Sequence, residues 1–291
     1  MTQRRVAAAL AILLAAAAGL SLLHVLAARP EPVIRAQSRQ LGVLPGLSKL
    51  SAAQLAALPE ARYDAVIAAL LPAAGAADAD TAYRLKKDTV VYAADRATPT
   101  ARLAARDFLG EPSVVVPVES SGDWLRVLTP ARQRLPSTGA NSAGTNSLGA
   151  LAPAQTSAWL RADSLSSPTM LVSRIIVSVS AQTLRIIGVG SRTWPVGVGA
   201  PGTPTPVGVT GYLQARYRDA VQGQAEHPIQ LTSLHSTAAD EPFGGNDGGL
   251  IGIHFQASAS GARSHGCIRV PLEALAAVDA LPLGTLITIE G

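Results

Sequence analysis

From Leu171 onward, apolar and polar positions alternate in short bursts cut by turn residues. Arg174-Ile175-Ile176-Val177-Ser178-Val179-Ser180 passes through Ala181-Gln182 into Thr183-Leu184-Arg185-Ile186-Ile187-Gly188-Val189. A second turn at Ser191-Arg192 leads to Thr193-Trp194-Pro195-Val196-Gly197-Val198. Three β-branched runs joined by tight turns predict an antiparallel meander. Gly202-Thr203-Pro204-Thr205-Pro206-Val207-Gly208 follows, where the prolines set φ, remove two donors and exclude a helix. Strand-like runs recur at 211–217 and 229–235, and a glycine-rich loop at 243–249 opens into Leu250-Ile251-Gly252-Ile253-His254. Pro271 opens a short helix over 271–278, and 281–289 closes as a last strand.

Upstream the period changes. Leu55, Leu58, Tyr63, Val66, Ile67, Leu70 and Leu71 recur near helical spacing, divided by Pro59, and predict a linker and helical stalk over 29–80. From Arg84 the bursts shorten again. Lys87-Asp88-Thr89-Val90-Val91-Tyr92, Val114-Val115-Val116-Pro117-Val118, Trp124-Leu125-Arg126-Val127-Leu128 and Ser157-Ala158-Trp159-Leu160-Arg161-Ala162 read as strands. Gly122-Asp123-Trp124-Leu125-Arg126-Val127, followed by Ala158-Trp159-Leu160-Arg161, resembles a bacterial SH3-like domain over 84–165. That resemblance implies a small barrel acting as a wall-binding or spacer module. Trp124 and Trp159 are expected in its core, with groove lining as the alternative. Residues 131–157, rich in Ser, Thr, Gly and Ala from Pro136 onward, are expected to form a disordered loop. Leu135-Pro136-Ser137-Thr138-Gly139 matches a sortase sorting signal, but no apolar segment and basic tail follow it, so the match is read as coincidence.

Residues 6–28 contain no Asp, Glu, Lys or Arg over 23 positions (28 − 6 + 1), behind Arg4 and Arg5. A bilayer-spanning helix needs about 20 apolar residues and a secretory core about 7–15, so 1–28 is expected to be a membrane anchor, or else a signal peptide. Composition adds little to this picture. Hydrophobic residues reach 48%, but much of that is alanine, and a net charge of +4 comes without the Lys/Arg run typical of nucleic-acid binding. Cys267 is the single cysteine, which excludes an intrachain disulfide and leaves either a buried inert thiol or a reactive one. Zinc held by His235, His254, His265 and Cys267 is conceivable, but no metal-ligand spacing repeats. Neither metal nor cofactor is expected.

Cys267 lies in Ser264-His265-Gly266-Cys267-Ile268-Arg269-Val270, with His254 ten positions before Ser264. A thiol with two histidines nearby points to Cys/His nucleophilic chemistry, since a free thiol is only a few per cent thiolate at neutral pH and needs a base. This heptapeptide, the Ile-Gly-Ile-His run, the Thr-Pro-Thr-Pro-Val-Gly segment and the Leu-Pro-Leu-Gly-Thr ending together resemble the L,D-transpeptidase catalytic domain, the YkuD family, over 171–291. The resemblance implies an all-β catalytic domain, a YkuD-type β-sandwich with one short helix, so the whole chain is expected to be mainly β, with an N-terminal membrane helix, a helical stalk and an SH3-like barrel ahead of it. It implies an extracytoplasmic acyltransferase, free of cofactor, acting on peptidoglycan stem peptides in the cell envelope. Cys267 would form a thioester from a tetrapeptide stem, release D-alanine and pass the acyl group to an amine in a 3–3 cross-link. Water as acceptor would make the chain an L,D-carboxypeptidase, and an inactive wall-binding protein is the rival from another class.

The same resemblance assigns roles. His254 would be general base and acid, His265 an orienting residue, and Phe255 would offer its carbonyl to His254. Phe255 departs from the glycine found there in many relatives. Backbone N–H groups around Gly266 would form an oxyanion hole, and Arg269, Ser264 and Tyr212 would contact substrate, with Arg269 suited to a carboxylate. Tyr212 and Tyr217 lie where a lid or donor-groove segment would begin, with a place in the strand core as the equal alternative. The nine residues between His254 and Ser264 (255–263) make a shorter loop than in many relatives.

Overall fold

The computed structural model describes residues 50–73, 79–140, 152–238 and 247–291. The membrane segment expected at 6–28 lies outside them. No helix among the described residues is long and apolar enough to cross a membrane.

The helical pattern at 51–71 is realised over one turn only. Helix α1 (Ala52–Ala56) begins with a capping box in which Ser51 and Gln54 exchange side-chain to backbone bonds. Pro59 then disfavours the α conformation at Leu58 and supplies no N–H, so the chain leaves the helix. Beyond it, Ala61, Ile67 and Leu70 turn into the core shared with Val91, Ala101 and Val127. Glu60 and Val66 form single bridges to Arg102 and Arg132. The expected helical stalk is therefore a strap laid on a β module.

That module holds β1 (Leu71–Pro72), β2 (Thr81–Arg84), β3 (Thr89–Tyr92), β4 (Pro99–Leu103), β5 (Val114–Val115), β6 (Pro117–Ser121), β7 (Trp124–Thr129), β8 (Thr156–Arg161) and β9 (Thr169–Met170). One sheet runs β4-β3-β8-β7-β6, with β1 also on β8, and a smaller one runs β5-β2-β9. Tyr92, Trp124 and Trp159 form a buried cluster. The Arg96 guanidinium lies 4.0 Å from the Trp159 ring centre and that of Arg161 5.2 Å from Trp124. The indoles are thus core, capped by cations.

The expected disordered loop is largely ordered where described. Ala131 and Arg132 are buried, Pro136–Ala140 forms the short helix α2, and residues 152–157 run into β8. Side-chain bonds explain this: Thr129 and Thr156 share a hydroxyl bond of 2.6 Å, and the Gln155 amide donates to the Thr129 carbonyl at 2.8 Å.

The C-terminal part forms one eight-stranded sheet of β10 (Ser173–Ser178), β11 (Thr183–Gly188), β12 (Arg192–Pro195), β13 (Val209–Asp219), β14 (Gln224–His235), β15 (Leu250–Phe255), β16 (Ile268–Val270) and β17 (Leu286–Glu290). The order is β12-β11-β10-β17-β13-β14-β15-β16. The predicted meander is β10 to β12. The last strand, β17, does not sit at an edge: it pairs parallel with β10 and antiparallel with β13. Strand β13 turns the corner of a sandwich, since Val209–Tyr212 pair with β17 and the remainder with β14, across a register shift between Leu213 and Ala215. Helix α3 (Leu272–Asp279) buries Ala274, Leu275 and Val278 against Ile253, Ile268 and Ile287.

The module and the sandwich share a third core of Ala82, Val116 and Leu128 with Tyr212 and Leu286. Gly284 lets them approach: its φ is +93°, and a side chain there would overlap Ala82.

Candidate active site

The parallel pairing of β15 with β16 sets the site. Ile253 and Ile268 are register partners and both face the core at 0% exposure. Side chains alternate along a strand, so the next pair, His254 and Arg269, faces the other way, and Cys267 shares their face. Cys267 is half-buried, as are His254 and Arg269. The thiol accepts the Gly252 N–H at 3.5 Å and donates to the Leu250 carbonyl at 3.8 Å. Among the described residues, no hydrogen bond joins His254 to Cys267.

The imidazole is held from behind. Nδ1 of His254 lies 3.2 Å from the Phe255 carbonyl oxygen. A carbonyl only accepts, so Nδ1 carries the proton and Nε2 is left as the acceptor. Burial pushes the His254 pKa below 6.5, the Phe255 carbonyl opposes this, and the Arg269 charge adds to it. Burial pushes the thiol of Cys267 above 9.0, against the opposing effects of the Gly252 N–H and Arg269. The pair therefore rests as neutral thiol and neutral imidazole.

The turn carrying Cys267 is stitched to the proline-rich segment. Thr203 donates its hydroxyl to the Ser264 carbonyl at 2.8 Å, and Thr205 to the Gly266 carbonyl at 2.9 Å. With Pro204 and Pro206 fixing the backbone, these hydroxyls hold the turn at two points. Nothing in the sequence reading singled out the two threonines, although the Thr-Pro-Thr-Pro spacing was the available signal. Gly266 has φ +99°, which favours glycine, and a Cβ there would press within 3.1 Å of the Ile251 side chain. Among the described residues, no hydrogen bond is recorded from the backbone N–H of Gly266 or Cys267. His265 is exposed. The Nε of Arg269 is buried and unpartnered among the described residues.

Two of the expected substrate contacts prove structural. Ser264 is 0% exposed, and its hydroxyl accepts the Gly199 N–H at 2.9 Å. It belongs to the stitching of the turn. Tyr212 is 1% exposed in the core between module and sandwich, where burial drives its phenol pKa up. On β13 it is Tyr217, five positions further, that stays half-buried, its phenol pKa raised mainly by burial.

His235, one of the conceivable zinc ligands, is instead buried, with Nε2 donating to the Tyr63 carbonyl at 2.8 Å. Burial and the Arg132 charge push its pKa down to about 3, against that bond. Among the described residues, no group of three or more His, Cys, Asp or Glu is placed to hold a metal ion.

A half-buried thiol, a tethered neutral imidazole and a glycine-bent turn on a β-sandwich define a site suited to thiol-based acyl transfer. Residues 173–289 match the family described as the L,D-transpeptidase catalytic domain, YkuD, and that segment is a YkuD-type catalytic domain. The match does not reach the module at 84–165, whose SH3-like resemblance rests on its sequence alone. Similar solved structures include an L,D-transpeptidase from Mycobacterium tuberculosis H37Rv, 13% identical, covering 78% of this chain and 98% of its own, with TM-score 0.35. An L,D-transpeptidase from Mycobacterium smegmatis is 17% identical and covers 58% of this chain and 91% of its own, at TM-score 0.30. The catalytic domain of an E. faecium L,D-transpeptidase is 21% identical over 41% of this chain and 98% of its own, at TM-score 0.28. No curated protein matches the sequence.

Proposed function

We propose that this chain is a peptidoglycan L,D-transpeptidase that works outside the cytoplasmic membrane through a thioester on Cys267. The observation that carries the reading is the shared face of Cys267, His254 and Arg269 on β15 and β16, with Nδ1 of His254 engaged by the Phe255 carbonyl. Nε2 takes the thiol proton as Sγ attacks the amide carbonyl before the terminal D-alanine of a tetrapeptide stem. The N–H groups of Gly266 and Cys267 receive the negative charge that forms on the carbonyl oxygen. His254 returns the proton to the departing D-alanine amine, leaving a thioester. An acceptor amine then attacks, loses its proton to His254, and the thiol is restored as the 3–3 cross-link forms. Arg269, whose buried Nε has no hydrogen-bond partner among the described residues, pairs with a stem carboxylate. His265 borders the turn on its exposed side and orients substrate or loop.

The test is intact-mass analysis of the full chain mixed with a tetrapeptide stem, with and without an acceptor amine. The expected result is a stem adduct on Cys267 that resolves into cross-linked product when amine is present. Resolution only to a hydrolysed tripeptide would reassign the chain as an L,D-carboxypeptidase. Absence of any adduct would leave the wall-binding reading.

The neutral resting pair has a pH consequence. Alkylation of Cys267 by iodoacetamide should climb about tenfold per pH unit through neutrality, with a midpoint above 9.0, because only the thiolate reacts. The rate of acylation by the stem should hold across neutral pH and fall only below 6.5, once His254 takes up a proton and can no longer accept one from the thiol. A flat alkylation profile at neutral pH would reveal a preformed thiolate–imidazolium pair and overturn this account.

A further inference from the structure

We propose that Gln224 is a positioning residue for His254, acting through the Phe255 carbonyl. The inference rests on the reading of His254 as the base and goes beyond it by naming what holds that base in place.

Gln224 opens β14, where the β13–β14 hairpin closes on the Asp219–Gln224 pair. Its side chain is 7% exposed. Its Nε2 donates to the Phe255 carbonyl oxygen at 3.1 Å, the oxygen that also receives Nδ1 of His254 at 3.2 Å. One carbonyl, with two lone pairs, serves both donors.

The geometry explains why the second donor matters. His254 bonds the carbonyl of the next residue, Phe255, a contact one position long. Such a contact cannot define its own direction, because the Phe255–Gln256 peptide plane rotates about the Phe255 ψ angle and carries the acceptor with it. Two bonds hold that plane from outside: the Gln256 N–H donates to the Val270 carbonyl at 3.0 Å, and Gln224, 31 positions away on another strand, donates to the Phe255 oxygen itself. The opposite amide orientation would set Oε1 against the Phe255 oxygen, acceptor to acceptor, and bury an unpaired NH2. The orientation present instead leaves Oε1 buried with no partner among the described residues. Buried acceptors are normally paired, so the donor bond to Phe255 is the feature this side chain keeps at the expense of its own oxygen.

The other polar groups around the pair do not duplicate this role. Arg269 faces His254 across the ladder, and His227 meets the Phe255 ring edge-on at 5.1 Å. Neither is recorded bonding the Phe255 carbonyl among the described residues. Loss of the Gln224 donor therefore leaves that plane held at its N–H end alone, lets the Phe255 carbonyl tilt away from Nδ1 and the proton of His254 redistribute to Nε2, and takes away the acceptor the thiol needs.

The experiment uses the full chain carrying Gln224→Met, which keeps length and removes the donor, and Gln224→Glu, which keeps shape and removes the donor, as a second variant should the first not fold. Long-range 15N–1H correlation of the imidazoles, with the His254 signals assigned through His254→Gln, reads the tautomer in the resting protein. In the wild type His254 should be wholly Nδ1–H. In the variants an Nε2–H population should appear, the first-order rate of Cys267 acylation at saturating stem should fall about tenfold, and KM should move less than twofold. In a His254→Gln background, Gln224→Met should change the residual rate by less than twofold, since the positioned group is gone. An unchanged tautomer with an unchanged rate would overturn the proposal. An equal loss of rate with and without His254 would overturn it as well, by showing a general structural effect. Failure of the functional reading is seen separately, as a wild type that forms no Cys267 adduct whatever tautomer His254 holds.

Discussion

Replacing Cys267 with alanine is expected to abolish the stem adduct and lower D-alanine release by roughly four orders of magnitude or more, leaving only what binding and backbone donors supply. The fold should survive. The sulfur's two bonds, 3.5 Å to the Gly252 N–H and 3.8 Å to the Leu250 carbonyl, are long, so little is lost with them. A stability change within about 1 kcal/mol is expected for so small a truncation at a half-buried position. Serine is the more instructive variant. It keeps size and both bonds, yet its hydroxyl is far too weak an acid for a neutral imidazole whose pKa is itself depressed, so it should fail as alanine does. Intact mass, D-alanine release and thermal unfolding of both variants check this. Wild-type release by Cys267→Ala would remove the thiol from the reaction and with it the proposed mechanism.

What the sequence made legible follows physical lines. Ser264 to Val270 stood out because cysteine, histidine and glycine carry properties other residues lack, and Gly266 at φ +99° shows why one of them is there. The meander β10 to β12 was readable because local alternation and tight turns determine it. The position of β17 was not, since inserting the last strand between β10 and β13 is a long-range pairing with no local signature. For Tyr212 the sequence left a groove role and a core role open, and the core role holds because Thr210 to Leu213 are covered by the sandwich on one side and the module on the other. Ser264 misled for a different reason. A hydroxyl within a reactive motif invites a chemical role, but its bond to the Gly199 N–H shows it fixing the turn. Gln224 was invisible because its effect passes through a backbone carbonyl 31 positions away.

The module is expected to be part of the site's rigidity rather than an appendage, and Arg132 is where this can be measured. Arg132 follows β7, is 7% exposed, and donates to the carbonyls of Ser236, at 3.4 Å, and of Gly248. These two residues lie close to 239–246 on either side, and Ser236 lies beside Gly266 in the turn of Cys267. Asp247, whose carboxylate accepts from the Ser137 backbone N–H at 2.9 Å and hydroxyl at 2.7 Å, supports the buried cation electrostatically, while burial lowers its pKa. The neighbouring His235 must stay neutral beside this charge, and its pKa of about 3 ensures that it does. Arg132→Met removes donors from two carbonyls at the junction, at about 1–3 kcal/mol for each left unsatisfied, partly offset by no longer burying a cation. A net loss of about 2–3 kcal/mol should lower Tm by roughly 4–12 °C for a unit of this size. Acylation of Cys267 should slow even well below Tm, because the backbone beside Gly266 loses its tether. Arg132→Lys, which keeps the charge but cannot span both carbonyls with one planar fork, should fall between the two. Thermal unfolding and acylation rates at a temperature where both variants are folded separate the effects. An Arg132→Met chain with unchanged Tm and unchanged acylation would show that the module only adjoins the catalytic sandwich and does not brace it.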